Sequence, residues 1–308
     1  MLLLLRLRWF VGLVVLVVVA YGGISWVFSD KLVSAQERPL GKVDPADYGL
    51  PRPTVVLVPG ADGIKLSSWY FANPRDEHCA VIMLHGFGGA RGEIVAASPL
   101  FWDRGCDILM YDSRGHGTST PSLLSFGVTE REDLKLAIAW LAHRTNLPDP
   151  RIGLIGWSYG AAVSIQAAAE VPQIGFAIAD SSYSSLEGIA RVQADRQFGA
   201  WAKIFVPGAL FIAGRRGGFD PGNASPVSEI RHVRSPVLLI HSRQDGFTPY
   251  TMSEDIYAHS VKAHTRLVIP SWTAPHASSY TENPAGYTKI VDAFLEEFKL
   301  PFGVRRGA

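Results

Sequence analysis

The sequence predicts an α/β domain built on a mostly parallel sheet and carried behind one helix long enough to cross a membrane. Three features predict it. Short apolar runs alternate with helical stretches between residues 54 and 298, the pattern of a parallel sheet covered by helices. Trp9 to Phe28 forms a run of 20 residues without a charge. A Gly-Trp-Ser-Tyr-Gly turn at 156–160 sits between an apolar run and a small-residue helix.

Composition sets the frame. Setting aside ~30 N-terminal residues, the 308-residue chain has the length of one large α/β domain with a filled core. Hydrophobic residues make up 47% and charged residues 19%, the latter low partly because the N-terminal run carries few charges. Lys and Arg number 29 against 28 acids, so no basic surplus points to nucleic acid as a partner. The two cysteines, Cys79 and Cys106, match no zinc or redox spacing. Each opens an apolar run, as a small core residue does; a disulfide between them requires the two runs to be neighbouring strands.

The apolar run at 9–28 makes a helix of roughly 30 Å, the thickness of bilayer hydrocarbon. Trp9 and Trp26 lie near its ends, where amphipathic rings favour the interface. Arg6 and Arg8 precede it, so residues 1–8 are expected in the cytoplasm. The domain then lies on the non-cytoplasmic side, periplasmic or extracellular. Lys31 and Lys42 follow the run and reduce the charge contrast. A retained single-pass signal-anchor is the main expectation. A cleaved signal peptide competes, with Val33-Ser34-Ala35 as a small-residue cleavage site, although signal peptides usually carry only ~7–15 apolar residues.

Residues 29–53, polar and holding Pro39, Pro45, Pro51 and Pro53, read as a linker or stalk. The main domain is expected over 54–300, followed by a tail at 301–308. Thr54–Val58 and Leu66–Phe71 read as opening strands, and Ala80–Leu84 and Asp107–Tyr111 as strands buried on both faces. Thr129 and Glu132 have capping-box spacing ahead of a helix with Leu134, Ala137, Ile138 and Leu141 on one face. Ile152–Gly156 is the next strand and Ala161–Ala169 the helix after it. Ile174–Ala179, Val237–Ile240 and Leu267–Ile269 supply later strands, and Tyr287–Phe298 closes as an amphipathic helix.

One stretch breaks the rhythm. About 50 residues separate Ser182 from Arg234, far more than a crossover needs, so 183–233 reads as a lid over the carboxyl edge of the sheet. In it Phe198, Trp201 and Phe205 recur at helical spacing beside Ile204, with Pro207 and Gly208 ending the pattern. Leu210, Phe211 and Ile212 form a second apolar cluster. These residues either glue the lid to the sheet or line an apolar pocket above Ser158.

A serine hydroxyl needs exposure, a base and a nearby oxyanion site to act as a nucleophile. A sharp strand-to-helix turn at 156–160 would supply the exposure, with flanking glycines avoiding collisions across the turn. An acid and a base are expected in the order Ser, Asp, His. Asp245 lies in the loop after the Val237–Ile240 strand, and His276 in the loop after Leu267–Ile269. Both loops open on the sheet edge that carries Ser158. His241 is too close to its strand and to Asp245 to serve as the base, and Asp180 is the reserve acid. His85-Gly86-Phe87-Gly88-Gly89 follows the Ala80–Leu84 strand. The N–H groups of Phe87 and Tyr159 are the expected oxyanion donors, with His85 holding the loop.

These pieces, together with Asp112-Ser113-Arg114-Gly115-His116-Gly117-Thr118-Ser119, carry a family resemblance. From about Pro53 to Phe298 the chain resembles the α/β-hydrolase superfamily, especially small-lid members similar to Bem46-type and serine-aminopeptidase-like hydrolases. The resemblance implies an eight-stranded, mostly parallel sheet with helices on both faces, and a structural role for 112–119 beside the site. Pro275 departs from the pattern, since members often carry Gly directly before the histidine.

No cofactor is expected. The glycines at 86–92 follow a strand, but Arg91 stands where a dinucleotide fingerprint needs its third glycine. No phosphate-loop or His-Glu-x-x-His metal motif occurs. The expected function is a membrane-anchored serine hydrolase acting on a carboxylic ester or thioester of a small acyl compound, lipid-derived ones included. An aminopeptidase-like peptide hydrolase and a non-catalytic binding protein of the same fold are the alternatives.

Overall fold

The computed structural model describes residues 2–36, 41 and 43–304. Pro39, Lys42 and residues 305–308 of the expected tail lie outside the described residues. Eight strands form one sheet: β1 (Thr54–Pro59), β2 (Lys65–Phe71), β3 (Ala80–Leu84), β4 (Asp107–Tyr111), β5 (Ile152–Trp157), β6 (Phe176–Asp180), β7 (Val237–Ile240) and β8 (Thr265–Val268). Their order is β1-β2-β4-β3-β5-β6-β7-β8. β2 pairs antiparallel with both neighbours, and every pairing from β4 through β8 is parallel.

The α-helices in chain order are α1 (Leu2–Val33), α2 (Pro99–Trp102), α3 (Glu130–Thr145), α4 (Tyr159–Glu170) and α5 (Leu186–Phe198), followed by α6 (Val206–Gly217), α7 (Pro226–Glu229), α8 (Thr251–His259), α9 (Ser279–Glu282) and α10 (Pro284–Glu297). α3, α4 and α8 pack on one face of the sheet, and α2 and α10 on the other. Along β3, Ala80, Ile82 and Leu84 enter the first core while Val81 and Met83 enter the second. Two cores sharing one strand explain why that segment is apolar without alternation.

Strand bounds shift by a residue or two from those expected, and three local expectations fail. The capping box at Thr129 and Glu132 does not form: Thr129 is already helical, and its hydroxyl lies 2.6 Å from that of Ser125. The buried Glu130 carboxylate takes over the turn, accepting from the N–H groups of Ser125 and Gly127 at 2.8 and 2.7 Å. In the lid, Pro207 and Gly208 do not end a helix. The break is Gly199, at φ 92°, and Pro207 sits in the first turn of α6, where its missing N–H costs no helical bond. The stalk expected over 29–53 is partly helix, because α1 continues unbroken to Val33. Residues 4–20 are exposed on all sides, whereas Ser25, Ser29 and Val33 are buried, Ser25 against Gly208 of the lid and Val33 with its carbonyl accepting from the Leu124 N–H at 2.8 Å.

Cys79 and Cys106 form a disulfide, with Cα atoms 4.7 Å apart. β3 and β4 are parallel neighbours with Ala80 opposite Asp107, which sets the preceding cysteines side by side. The bridge closes a separation of 27 residues. Replacing both cysteines with serine is expected to cost about 2–4 kcal/mol of stability, read as a lower urea midpoint with an unchanged fold by circular dichroism. An unchanged midpoint would mean that the pair contributes nothing.

Candidate active site

β5 ends at Trp157, and α4 begins at Tyr159, leaving Ser158 alone in the turn. Its backbone sits at φ 53°, ψ −110°, a conformation rarely adopted by a residue with a side chain. A bond from the Ser158 N–H to the Asp180 carbonyl (2.8 Å) holds it there. The flanking glycines are required by contact: a Cβ on Gly156 would strike the Gly160 carbonyl, and one on Gly160 would come within 2.5 Å of the Leu84 oxygen. The close approach of α4 to β3 brings the 85–89 loop beside the serine, so that a Cβ on Gly86 would lie 3.6 Å from that of Ser158.

His276 Nε2 lies 2.7 Å from Ser158 Oγ, and His276 Nδ1 lies 2.7 Å from Asp245 Oδ2. With the carboxylate as acceptor, Nδ1 carries the proton and Nε2 accepts from the serine hydroxyl. The structure therefore brings together the three residues that the sequence singled out from three separate loops. The Phe247 ring packs on the His276 imidazole, with centroids 4.8 Å apart. The His276 loop closes without glycine: Ala277, not the residue before the histidine, takes the left-handed conformation at φ 53°. Its N–H donates to Ser181 Oγ at 3.2 Å. Pro275 is accommodated for that reason.

Asp245 is more tightly held than its loop position suggests. Its Oδ1 accepts from the N–H groups of Phe247 and Thr248, both at 2.8 Å. A second imidazole, that of buried His241, places Nε2 3.1 Å from Oδ2 and 2.9 Å from the Thr248 carbonyl. Facing two acceptors, Nε2 carries the proton, and Nδ1 accepts from Ser253 Oγ at 2.7 Å. Burial pushes the Asp245 carboxyl up, but the bonds from His241, His276 and the Thr248 N–H outweigh it and hold the group well below the usual carboxylate range. His241 is thus a positioning residue that sequence reasoning set aside; its signal was the spacing to Asp245.

Phe87 and Tyr159, whose amides are the expected donors, both lie beside Ser158. Among the described residues, no acceptor takes either N–H, and Tyr159, as the first residue of α4, has no helical carbonyl to donate to. His85 holds the loop as expected, with Nδ1 2.7 Å from the Gly86 carbonyl and Nε2 accepting from the Ser113 N–H at 3.0 Å. Burial, reinforced by neighbouring His116, lowers its pKa to about 3, so it is neutral. Asp112 accepts from the Arg91 N–H at 2.7 Å and the Thr118 N–H at 2.8 Å, tying the 112–119 loop to the 85–92 loop.

An apolar cavity opens above Ser158. Phe28, Leu32, Phe126, Tyr183, Ile189 and Phe198 are among its walls, and Lys31 is the only charged residue among the described lining. Of the lid cluster, Phe198 lines the cavity, Phe205 and Leu210 are buried, and Trp201, Ile204 and Phe211 are exposed. Phe28, Lys31 and Leu32 belong to α1, a contribution that treating the segment only as anchor and linker misses.

Residues 80–211 match the family described as the alpha/beta hydrolase fold. The chain is 31% identical to the uncharacterized protein YqkD of Bacillus subtilis over 247 residues, 79% of each chain. The chain belongs to the α/β-hydrolase superfamily. Among solved structures of that fold, the Pyrococcus furiosus esterase Pf2001 superposes with a TM-score of 0.67 at 25% identity, covering 86% of this chain and 98% of the esterase. Pyrococcus horikoshii acylaminoacyl peptidase superposes with a TM-score of 0.62 at 19% identity, over 85% of this chain and 44% of the peptidase. The second likeness is one of fold alone. Together, membership and these neighbours support a hydrolase.

The reserve acid, Asp180, lies at the end of β6 and is bonded not to His276 but to Ser181 Oγ, at 2.9 Å. Burial pushes its carboxyl up to about 6, with Ser181 and nearby His241 opposing, whereas an unfolded aspartate titrates at about 3.9. Between those values the folded state binds more protons than the unfolded chain, so this group's contribution to stability falls as pH rises through the window. Lowering pH from about 7 to about 5 is expected to stabilise the wild type relative to Asp180→Asn by about 1 kcal/mol, read from urea midpoints. Identical pH responses in the two proteins would show that Asp180 does not titrate there.

Proposed function

We propose that the protein is a membrane-anchored serine hydrolase that cleaves a carboxylic ester or thioester. The observation that carries this reading is the hydrogen-bonded chain from Ser158 Oγ through His276 to Asp245, with 2.7 Å at each link. His276 Nε2 takes the hydroxyl proton as Oγ attacks the acyl carbon. The N–H groups of Phe87 and Tyr159 donate to the oxyanion. The intermediate collapses as the bond to the leaving oxygen or sulfur breaks, and His276 returns the proton to that atom. Water, deprotonated by the same imidazole, then releases the acid. Asp245, ionised throughout, fixes the His276 tautomer and stabilises the imidazolium.

The ester reading is favoured over an aminopeptidase by the cavity. An exopeptidase needs a carboxylate for the substrate amine, and the described lining holds none. The apolar walls suit an acyl chain, each buried CH₂ contributing up to ~0.8 kcal/mol.

For location, α1 supports an anchor: residues 4–33 are long and apolar enough to cross a bilayer, with Arg6 and Arg8 at the cytoplasmic end. The disulfide is consistent with a domain on the oxidising, non-cytoplasmic side.

Ser158→Ala is expected to remove nearly all ester turnover and fluorophosphonate labelling while preserving the fold; near-normal hydrolysis by this variant sinks the assignment. For the intact enzyme, kcat/KM on p-nitrophenyl esters from two to twelve carbons is expected to climb before levelling off, and a steady fall beyond acetate would count against an acyl pocket. The protein is expected to stay in the membrane fraction after a carbonate wash. A mature N-terminus at Gln36, found by sequencing, would refute the anchor.

A further inference from the structure

The wall that α1 contributes to the cavity fixes where the cavity lies relative to a bilayer. Beyond Arg8, roughly 30 Å of hydrocarbon corresponds to 20 residues at about 1.5 Å each and ends at Phe28. Phe28 is itself a cavity wall, and Lys31, the next cation along the helix, also lines the cavity. The α1 wall of the cavity is therefore level with the boundary between hydrocarbon and headgroups.

The lid reaches the same depth. The Tyr21 hydroxyl donates to the Ile204 carbonyl at 3.0 Å, and its ring lies 5.2 Å from that of Phe205. Gly208 approaches so closely that a Cβ there would lie 2.5 Å from Ser25 Oγ. Phe28 stacks on Phe198 at 5.2 Å. Farther along, Arg216 pairs with Asp30 at 2.8 Å, so α6 runs alongside α1 in the same direction. Tyr21 precedes Phe28 by seven residues, about 10 Å along a helix, the depth to which interfacial helices bury an apolar face. At that level the lid exposes Trp201, Ile204 and Phe211, at 57%, 61% and 68% of full exposure. Lys203, between two of them, is ion-paired with Asp195. On α1 itself Trp26 and Val27 are exposed, with the Arg216 guanidinium 4.6 Å from the centre of the Trp26 ring.

The geometry points to a bilayer lipid bearing a long acyl ester as the substrate, its chain drawn from the outer-leaflet hydrocarbon at the level of Phe28 to lie against Phe28, Leu32 and Phe198 with its carbonyl at Ser158. This rests on the hydrolase reading of Ser158 and deepens it: the N-terminal helix is part of the substrate site as well as a tether. Lateral entry spares the chain any passage through water, where each exposed CH₂ costs about 0.8 kcal/mol. The exposed lid residues rest on the leaflet that supplies the substrate.

The test uses the full chain in phosphatidylcholine vesicles and an alkyl fluorophosphonate of about ten carbons carrying a diazirine at its chain end. Ser158 Oγ displaces fluoride from phosphorus, which reads the serine assignment alone. Irradiation then marks whatever the chain end touches. The expected crosslink falls within residues 28–32. Label on Ser158 with no crosslink to α1 overturns the inference and leaves the hydrolase intact; no label on Ser158 overturns both. In a second arm, Trp201→Ser, Ile204→Ser and Phe211→Ser are combined. Hydrolysis of a long-chain ester dissolved in the vesicles is expected to fall about tenfold, while p-nitrophenyl acetate in solution is turned over within about twofold of wild type. An undiminished vesicle rate overturns lateral entry.

Discussion

Ser158 is held in a positive-φ conformation by the packing of α4 against β3 and β5, and the candidate site depends on that one turn. Gly156 and Gly160 leave no room for side chains, so strand and helix meet closely enough to trap the serine between them. The same contact brings the Gly86–Phe87 loop beside the hydroxyl, and the start of α4 leaves the Tyr159 amide without a helical acceptor. The strain is borne by two filled cores on either side of the sheet. Strain in this turn and the two unclaimed amides are consequences of a single packing decision.

The opposite side of the site relies on hydrogen bonding. Asp245 is a buried carboxylate, costly unless its lone pairs are used. Two backbone amides and two imidazoles use them. His241 occupies the side of Oδ2 that His276 leaves open and is itself fixed by Ser253 and the Thr248 carbonyl. A carboxylate so surrounded has one orientation, and it transmits that orientation to the His276 ring.

The N-terminal helix joins these two halves to a third. Its small residues Ser25 and Ser29 bury against the lid, which aligns Phe28 and Leu32 with the cavity and turns Trp26 and Val27 outward. One face of the helix thereby lines the cavity while another stays apolar and exposed, and removing the helix would open the cavity on one side.

The alternation of buried runs with helices, the turn at 156–160 and the positions of Asp245 and His276 were legible because each depends on local pattern: period, glycine placement, and loops at the carboxyl ends of strands. The membrane-length helix was legible from its uninterrupted apolar run. What the sequence could not determine depends on which segments become neighbours. The disulfide follows from the parallel register of β3 and β4. The Glu130 turn replaced the expected capping box because buried amides at Ser125 and Gly127 needed an acceptor. The second imidazole on Asp245 and the entry of Phe28 and Leu32 into the cavity arise from contacts between elements far apart in the chain or facing inward from one loop. Local chemistry named the residues; the tertiary packing decided which surfaces they share.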